Sequence, residues 1–557
     1  MKGLRIIEIG LLLLVLAGAA VLRFYDLDYR VMHGDEANQA MKTGVLLETG
    51  EYAYDPYEHH GPTLYYLTLP VLWAGGVTSK VEMGETAIRL VPAAFGLGLV
   101  LLSWLILSPI DRRAALLGAL LVGLSHGLVY YSRYYIQETL FVFFAAGLVW
   151  CGFHYPRSRR IGWALAAGAF LGLLHATKET GVLVVVAMLG ALVASWFLDW
   201  IAGGGVGTAR QLRRENSGEK PAPHSWFVGL NFQHLAAALG MALAVSVLFF
   251  SSFFTHARGP LDSILTYTTY LGRAEGHGSS GLHEHPWYYY LWLLGYYYRE
   301  AGPRWSEGLI LGLALVGGIT CTWRPLGMRR AHSSSDGDYY CSTVYTPDLI
   351  FLQRFLLTYT LFLLVGFSII PYKTPWNLLI FLHPLCLLAG LGAWRLLGAS
   401  RAVWWRAAVA LVLAAGCIQL AGQTWRGIFT YGADVRNPYV YAHTSSAIRR
   451  LTDRVDGIEA VHPRGEQLHI NVFRPGGDYW PLPWYFRAYP NVGYWPNLPE
   501  NCDADIILAS PETAPAVQSR LKNEYHVEMH GLRPGVLMPT FIRKDLWDAF
   551  MAGRTTD

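Results

Sequence analysis

Residues 86–113 read TAIRLVPAAFGLGLVLLSWLILSPIDRR and decide what kind of protein this is. The first part, 86–108, contains a single charged side chain, that of Arg89, and a membrane-spanning helix needs about 20 mostly apolar residues. The run is followed by Arg112 and Arg113, and basic residues directly after an apolar run are typical of the cytoplasmic end of a span. This stretch therefore predicts a transmembrane helix together with its orientation.

The same pattern recurs along the chain and predicts about eleven spans. Basic residues cluster in every second connection between them, so those connections and the N-terminus are predicted to be cytoplasmic. The first run exceeds the apolar core of a typical signal peptide and more spans follow, so we expect an uncleaved helix. Residues 64–75 are apolar but short, and we interpret them as an interfacial helix in the first outer loop. The predicted spans are 6–22, 86–108, 114–130, 139–154, 161–175, 180–200, 235–254, 306–323, 349–370, 375–393 and 405–424.

The composition excludes other classes of protein. Of 557 residues, 53% are hydrophobic, which over such long runs is too apolar for an ordinary soluble enzyme. The formal net charge is only +4, and Lys and Arg are distributed by membrane side, so we expect no nucleic-acid partner. The six cysteines show neither a disulfide framework nor a zinc-type spacing. The lipid bilayer is the expected surrounding, and the cytoplasmic (inner) membrane the expected location.

The sequence predicts two domains that meet near residue 425. Up to residue 424 the chain is a multispan α-helical membrane domain. Beyond it, long apolar runs give way to short strand-like pieces between Pro- and Gly-rich turns, which is typical of a small α/β domain. The charge pattern places this second domain, 425–557, outside the cytoplasm.

Nearly all side chains that are able to do chemistry fall in the outer connections. The first of these contains Met32-His-Gly-Asp35-Glu36, two adjacent carboxylates beyond the end of the first span. A solvated loop is the commoner explanation for such a pair. A transfer to a hydroxyl group, however, needs a carboxylate that takes the hydroxyl proton as the oxygen attacks. We therefore predict that Asp35 is the catalytic base, with Glu36 beside it in the site.

Three cations lie in short outer turns, where Lys and Arg are otherwise rare. Arg133 precedes the fourth span, Lys178 joins the fifth to the sixth, and Lys373 joins the ninth to the tenth. Such residues are often snorkelling interfacial anchors. Three such residues on the side where the orientation rule expects few basic residues indicate a second role. Fixed positive charge stabilises an anionic leaving group such as a lipid-linked phosphate. We predict that these cations bind a donor phosphate.

Other polar side chains in the outer connections are predicted to line the same site. His175 and Glu179 share a helical face with Lys178 if that turn continues as a helix. His283 and His285 would point the same way in an extended strand, as metal ligands do, but two histidines without a third ligand are weak support for a metal. We predict no metal site, and a divalent cation stays open as a cofactor. The substrate-binding candidates are His60, Glu138, His175, Glu179, His283 and His285.

These motifs resemble the GT-C superfamily of glycosyltransferases, in the PMT-like branch that contains protein O-mannosyltransferases and the bacterial aminoarabinose transferase of lipid A. The resemblance covers roughly the first 400 residues. Its motifs are Asp35-Glu36 in a long first outer loop, Ser132-Arg133…Glu138 after the third span and Lys178 after the fifth. Two further motifs, Tyr57-Glu-His-His-Gly-Pro and Pro371-Tyr-Lys-Thr-Pro-Trp376, are closer to an uncharacterised subgroup often labelled flippase-associated.

The resemblance implies a multispan core, interfacial helices in the first loop and a polyprenyl-phosphate-linked donor. It makes Asp35 the functional acid of the first loop and Glu138 the acid of the second. The expected function is an inverting transfer of a hexosyl or pentosyl group to an extracytoplasmic lipid, glycan or protein. The alternative is a transporter or flippase of lipid-linked sugars, although such proteins usually place charged residues near the bilayer midplane.

Overall fold

The computed structural model describes residues 2–57, 60–203, 231–274, 283–323 and 347–554. Within them, a large helical part is followed after residue 429 by a small α/β part. The helices are α1 (Lys2–Phe24), α2 (Gly34–Thr49), α3 (Thr63–Ala74), α4 (Glu85–Leu107), α5 (Arg112–Leu124), α6 (His126–Ser132), α7 (Glu138–Ser158), α8 (Ile161–His175), α9 (Gly181–Gly203), α10 (Phe232–Phe250), α11 (Gly259–Ala274), α12 (Tyr289–Gly295), α13 (Gly308–Trp323), α14 (Pro347–Ile369), α15 (Leu379–Leu397), α16 (Val403–Phe429), α17 (Ile448–Glu459), α18 (Leu482–Tyr485), α19 (Ala514–Gln518) and α20 (Lys544–Arg554).

The apolar helices coincide with the predicted spans. Among the described residues, eight helical segments are long and apolar enough to cross a membrane, and α5 with α6 makes a ninth if that pair, bent by 58°, is one broken span. The other two predicted spans correspond to α8 and α13, which are shorter apolar helices. The predicted class, a polytopic helical membrane protein with a small C-terminal α/β region, is confirmed. The count of eleven crossings stays a prediction, and α3, with 12 residues, is too short to span by itself.

A buried carboxylate holds the bend between α5 and α6. Glu307, just before α13, accepts hydrogen bonds from the Ser125 hydroxyl at 2.6 Å and from the backbone N–H of Gly127 at 2.9 Å. It also accepts one from the Tyr439 hydroxyl at 2.6 Å. Because Tyr439 follows α16, this carboxylate ties the broken helix to the chain segment that leaves the last apolar helix.

Two glycines allow α13 and α15 to pack closely. A Cβ on Gly317 would overlap the carbonyl of Leu388, and a Cβ on Gly392 would overlap that of Leu313. Small residues at such crossings let helix backbones approach one another within a membrane. The crossing fixes the position of α15, and therefore of the 3₁₀ turn Pro375–Leu378 that precedes it.

The C-terminal part is built on a five-stranded mixed sheet. Strand β1 (His469–Phe473) pairs in parallel with β2 (Asn491–Trp495) on one side and with β3 (Ile506–Ala509) on the other. Strand β5 (Val536–Arg543) is antiparallel to both β3 and β4 (Tyr525–Arg533), which gives the order β2-β1-β3-β5-β4. The central strand β3 is buried along its whole length, and α17 packs its apolar face into the same core.

The crossover from β1 to β2 packs on the segment between α1 and α4. Tyr485 in this crossover accepts a hydrogen bond on its hydroxyl from the backbone N–H of Met32 at 2.9 Å. Arg487 donates to the carbonyl of Met83 at 2.7 Å. The α/β part therefore lies directly against the loop that carries Asp35.

Candidate active site

Glu36 is the fully buried centre of an ion-pair network at the start of α2. Its Oε2 accepts a hydrogen bond from Arg30 at 2.7 Å, and its Oε1 accepts one from Arg89 Nε at 2.9 Å. The backbone N–H of Tyr135 donates to Oε1 at 2.9 Å. Burial alone would raise the pKa of Glu36, but the two guanidinium groups outweigh it and hold that pKa well below its usual range. Since both carboxylate oxygens are occupied, we assign Glu36 a structural role instead of the catalytic one predicted from sequence.

The same two arginines fix the loop between α1 and α2. Arg89 Nη1 donates to the carbonyls of Leu27 and Arg30, both at 2.8 Å. The Arg30 guanidinium lies 3.5 Å from the centroid of the Tyr134 ring, which is a close cation–π contact. The loop is thus held by α4 on one side and by the turn after α6 on the other, and its far end carries Asp35.

Asp35 is the accessible carboxylate of the pair, with a side chain that is 55% exposed. It lies in the first turn of α2, where the helix dipole favours negative charge. The N-cap His33 accepts a hydrogen bond on Nδ1 from the backbone N–H of Asp35 at 3.0 Å, and its Nε2 donates to the Tyr441 carbonyl at 2.9 Å. An exposed carboxylate on a backbone fixed in this way suits a general base.

The segment after α16 supplies a wall of the site that the sequence analysis missed. The Tyr441 hydroxyl lies 2.5 Å from His283 Nδ1, and the Tyr441 ring lies 5.8 Å from the Trp376 ring. His443 is buried and accepts a hydrogen bond from Arg30 on Nε2 at 2.7 Å. No motif in this segment marks it as part of a site, because only the fold returns it to the first outer loop. Trp376 did fall within a quoted motif, but without a role.

Asp35 is also an electrostatic neighbour of His283. Burial lowers the pKa of His283, and the negative charge of Asp35 opposes that shift. His285 stacks on the Tyr289 ring at a centroid distance of 4.1 Å, and burial lowers its pKa as well.

In the described part of the chain, no three His, Cys, Asp or Glu side chains are grouped as metal ligands.

Lys373 is a buried cation next to the histidine segment. Its backbone N–H donates to the His283 carbonyl at 2.8 Å, and its Nζ donates to the carbonyls of His285 at 2.9 Å and Ile370 at 2.5 Å. The residue is 1% exposed, and burial lowers the pKa of its ammonium group. Among the described residues, no carboxylate pairs with Lys373. Within the described part of the chain, its positive charge is therefore held by carbonyl dipoles and is not neutralised.

Lys178, by contrast, already has a carboxylate partner. Its Nζ lies 2.7 Å from Glu138 Oε1, and each side chain is 6% exposed. Asn377 accepts a second hydrogen bond from the same Nζ at 3.1 Å. The contact joins the N-terminal ends of α7 and α9 to the turn before α15. The sequence predicts that Lys178 binds a donor phosphate, but in the structure its charge is balanced by Glu138.

The Arg133 guanidinium is bound at the end of α1. It donates to the carbonyls of Arg23 at 3.1 Å, Tyr25 at 2.8 Å and Asp26 at 2.6 Å. Carbonyls at a helix C-terminus lack partners within the helix, so Arg133 caps the end of α1. This use of its donors argues against the phosphate-binding role predicted from sequence.

His60 and Glu179 form a separate contact near Lys178. His60 Nδ1 and Glu179 Oε2 are 2.9 Å apart, and the Tyr54 hydroxyl donates to the other Glu179 oxygen at 3.1 Å. Burial would raise the pKa of Glu179, but His60 beside it lowers that pKa. The preceding residue, His59, lies outside the described residues.

The side-chain hydrogen bond of His175 goes to a different partner. His175 is bonded through Nδ1 to the Ser246 hydroxyl at 2.8 Å, between α8 and α10. Because α8 ends at His175, the expected helical face shared with Lys178 and Glu179 does not form.

Comparison with known proteins identifies the fold. Residues 65–207 match a protein-family model described as dolichyl-phosphate-mannose-protein mannosyltransferase. No curated protein gives a match. ArnT from Cupriavidus metallidurans, solved with undecaprenyl phosphate, aligns with a TM-score of 0.60 and 14% identity over 98% of this chain and 99% of its own. The oligosaccharyltransferase AglB from Archaeoglobus fulgidus, solved with an inhibitory peptide and a dolichol-phosphate, aligns with a TM-score of 0.52 and 12% identity over 91% of this chain and 70% of its own. At these identities the likeness shows a shared fold over nearly the whole chain.

Proposed function

We propose that this chain is a membrane glycosyltransferase of the GT-C superfamily, related to PMT-like and ArnT-like proteins, with a polyprenyl-phosphate-linked sugar donor. Its fold and its partial family match support the proposal. The two structural neighbours were solved with undecaprenyl phosphate and dolichol-phosphate, which supports a donor of this class. We further propose an inverting transfer of a hexosyl or pentosyl group to an extracytoplasmic lipid, glycan or protein. The flippase-associated subgroup remains a prediction.

The exposed carboxylate of Asp35 carries the proposal. The backbone that carries this side chain is fixed by hydrogen bonds, and the side chain is exposed. The adjacent acid, Glu36, is fully paired with Arg30 and Arg89. In the proposed reaction, Asp35 takes the proton of an acceptor hydroxyl while that oxygen attacks the anomeric carbon of the donor. The new glycosidic C–O bond forms on the face opposite the bond that breaks, and polyprenyl phosphate leaves with the electron pair.

Lys373 is the cation best suited to the departing phosphate. It carries a positive charge that no carboxylate among the described residues balances, close to His283 and therefore to the surroundings of Asp35. Preorganised positive charge of this kind is typically worth about 10²–10³-fold in rate. Lys178 is neutralised by Glu138 and Arg133 is used in capping α1, so neither competes for this role.

The test is a deletion strain complemented with the wild-type chain, with Asp35→Asn or with Asp28→Asn. Asp28 is an exposed acid in the same loop and serves as the matched control. Mass spectrometry of lipid extracts should show one polyprenyl-phosphate sugar that accumulates in the deletion strain and in the strain that carries Asp35→Asn. The level of this lipid should fall in the strains that carry the wild-type chain or Asp28→Asn. Binding of undecaprenyl phosphate to purified Asp35→Asn should be unchanged. Full complementation by Asp35→Asn would refute the assignment of the base.

Transport of lipid-linked sugars is the rival activity. Vesicles reconstituted with the purified chain and a short-chain fluorescent polyprenyl-phosphate sugar separate the two. We expect no movement of the lipid between leaflets beyond that of empty vesicles. Movement that persists in Asp35→Asn would favour the transporter.

The orientation completes the proposal. We propose that the N-terminus is cytoplasmic and that the site and the α/β part lie on the outer side of the cytoplasmic membrane, as the distribution of Lys and Arg indicates. Reporter fusions after residue 430 test this: alkaline phosphatase should be active there, and a cytoplasmic fluorescent reporter should be dark. The opposite pair of results would put the site in the cytoplasm and overturn the proposed orientation.

A further inference from the structure

We propose that Glu138, Lys178 and Asn377 form a subsite for a hydroxyl group of the donor sugar and select a neutral sugar over a cationic one. The inference rests on the proposed function. It changes the part that Lys178 plays, from binding the phosphate to orienting a carboxylate toward the sugar.

The first observation is an oxygen without a partner. Glu138 Oε1 accepts the Lys178 ammonium, but Oε2 is buried and has no hydrogen-bond partner among the described residues. A buried carboxylate oxygen left without a donor is costly, and native structures rarely leave one so without a reason. A group that brings an O–H or N–H to this oxygen would therefore bind favourably.

The second observation is a small cavity at the same place. It is lined by Glu138, Lys178 and Asn377 on its polar side, and by Phe367 and Trp376 among its apolar walls. The free space is about that of one water molecule, so it admits a single hydroxyl and not a whole sugar ring. The Glu138 carboxylate and the Asn377 amide supply the acceptors and the donor that one such hydroxyl needs.

The charge of the cluster selects the kind of group that enters. Glu138 and Lys178 cancel each other, and the side chain of Asn377 is neutral, so the subsite has no net charge. A phosphate would gain little electrostatic stabilisation in this neutral subsite. Lys373 stabilises it better, because Lys373 has no carboxylate partner among the described residues. An ammonium group would lose its water there without net negative charge to replace it, because the Lys178 ammonium offsets the attraction of Glu138. A neutral hydroxyl meets neither penalty.

The cavity also lies near the proposed base. Trp376 lines the cavity, and its ring centroid is 6.0 Å from that of His33. His33 in turn is bonded to the backbone N–H of Asp35. The rings of Trp376 and His33 therefore connect this cavity to the Asp35 turn, and we expect one donor to reach both places.

Binding of two lipids to purified protein in nanodiscs tests the subsite: undecaprenyl phosphate and the same lipid carrying glucose. We expect Glu138→Gln to weaken binding of the glucose lipid by about 10- to 100-fold relative to the sugar-free lipid, since a hydrogen bond to a charged group is lost. Lys373→Met should weaken binding of both lipids by the same factor. Equal effects of Glu138→Gln on the two lipids, or no effect on either, would overturn the inference.

Asn377→Asp provides a second variant that keeps the acceptor for Lys178 and changes only the charge. It makes the subsite net negative, so binding of undecaprenyl phosphate carrying a 4-amino sugar should improve by about tenfold or more relative to the glucose lipid. An unchanged ratio would contradict the charge argument, whether or not Glu138→Gln folds. Failure of the wild-type chain to bind any of these lipids would instead refute the proposed function.

Discussion

The Glu36→Gln substitution should lower the free energy of unfolding far more than the Asp35→Asn substitution at the neighbouring position. The amide keeps the shape of Glu36 but removes its charge and turns one acceptor oxygen into an N–H donor. That donor would face the guanidinium groups of Arg30 and Arg89, which are 8% and 0% exposed. Among the described residues, Arg30 would then lack its counter-ion, and Arg89 would keep only Glu85, at 3.1 Å.

The magnitude follows from the burial of the partners. Removing one member of a buried ion pair typically costs about 3–5 kcal/mol, because the charge that remains is left unpaired in a low-dielectric environment. Asp35 is 55% exposed, and its contribution to the helix dipole is worth less than about 1 kcal/mol. Adjacent acids in one turn should therefore differ by at least about 2 kcal/mol in their effect on the free energy of unfolding.

The assay is unfolding by SDS in mixed micelles, with the free energy of unfolding compared among variants. Glu8→Gln is the matched control, because Glu8 pairs with Arg112 at 3.3 Å but both side chains are partly exposed. Such a pair is worth about 0–1 kcal/mol. A Glu36→Gln variant that unfolds as the wild type does would show that the network does not hold this loop.

Two further predictions concern other contacts of the segment between α1 and α4. Gly61→Ala should destabilise the protein by about 1–3 kcal/mol in the same assay, because its Cβ would overlap the Ala176 carbonyl, whereas Gly84→Ala, with nothing within 4 Å, should not. Equal stability of the two variants would contradict this contact. Burial and the neighbouring Arg30 hold the pKa of His443 well below its usual value, so the unfolded chain binds a proton that the folded one does not. The free energy of unfolding should therefore fall as pH drops below about 6.5, by up to about 1.4 kcal/mol per pH unit. In thermal unfolding measured against pH, His443→Gln should remove this part of the slope. Identical slopes for the variant and the wild type would refute the prediction.

The spans were predictable because the bilayer imposes a local rule. A backbone in hydrocarbon must satisfy its own hydrogen bonds, so each crossing is an apolar run of nearly fixed length. The run from 86 to 108 shows this, since α4 (Glu85–Leu107) occupies almost the same residues. The exposure of Asp35 and the burial of Glu36 obey no such rule, because Arg89, which decides between them, comes from a different helix.

Three cations that look alike in the sequence have different surroundings in the fold. In the sequence, Arg133, Lys178 and Lys373 are equivalent charges against the orientation rule. In the fold, the first caps α1, the second is neutralised by Glu138, and the third is bound only by carbonyls among the described residues. The sequence determined that this protein crosses the membrane repeatedly and that its reactive groups gather in alternate loops, because hydropathy and charge distribution are sums over neighbouring residues. Which of those groups keeps a free charge depends on partners far away in the chain, and the packing of the helices alone brings such partners together.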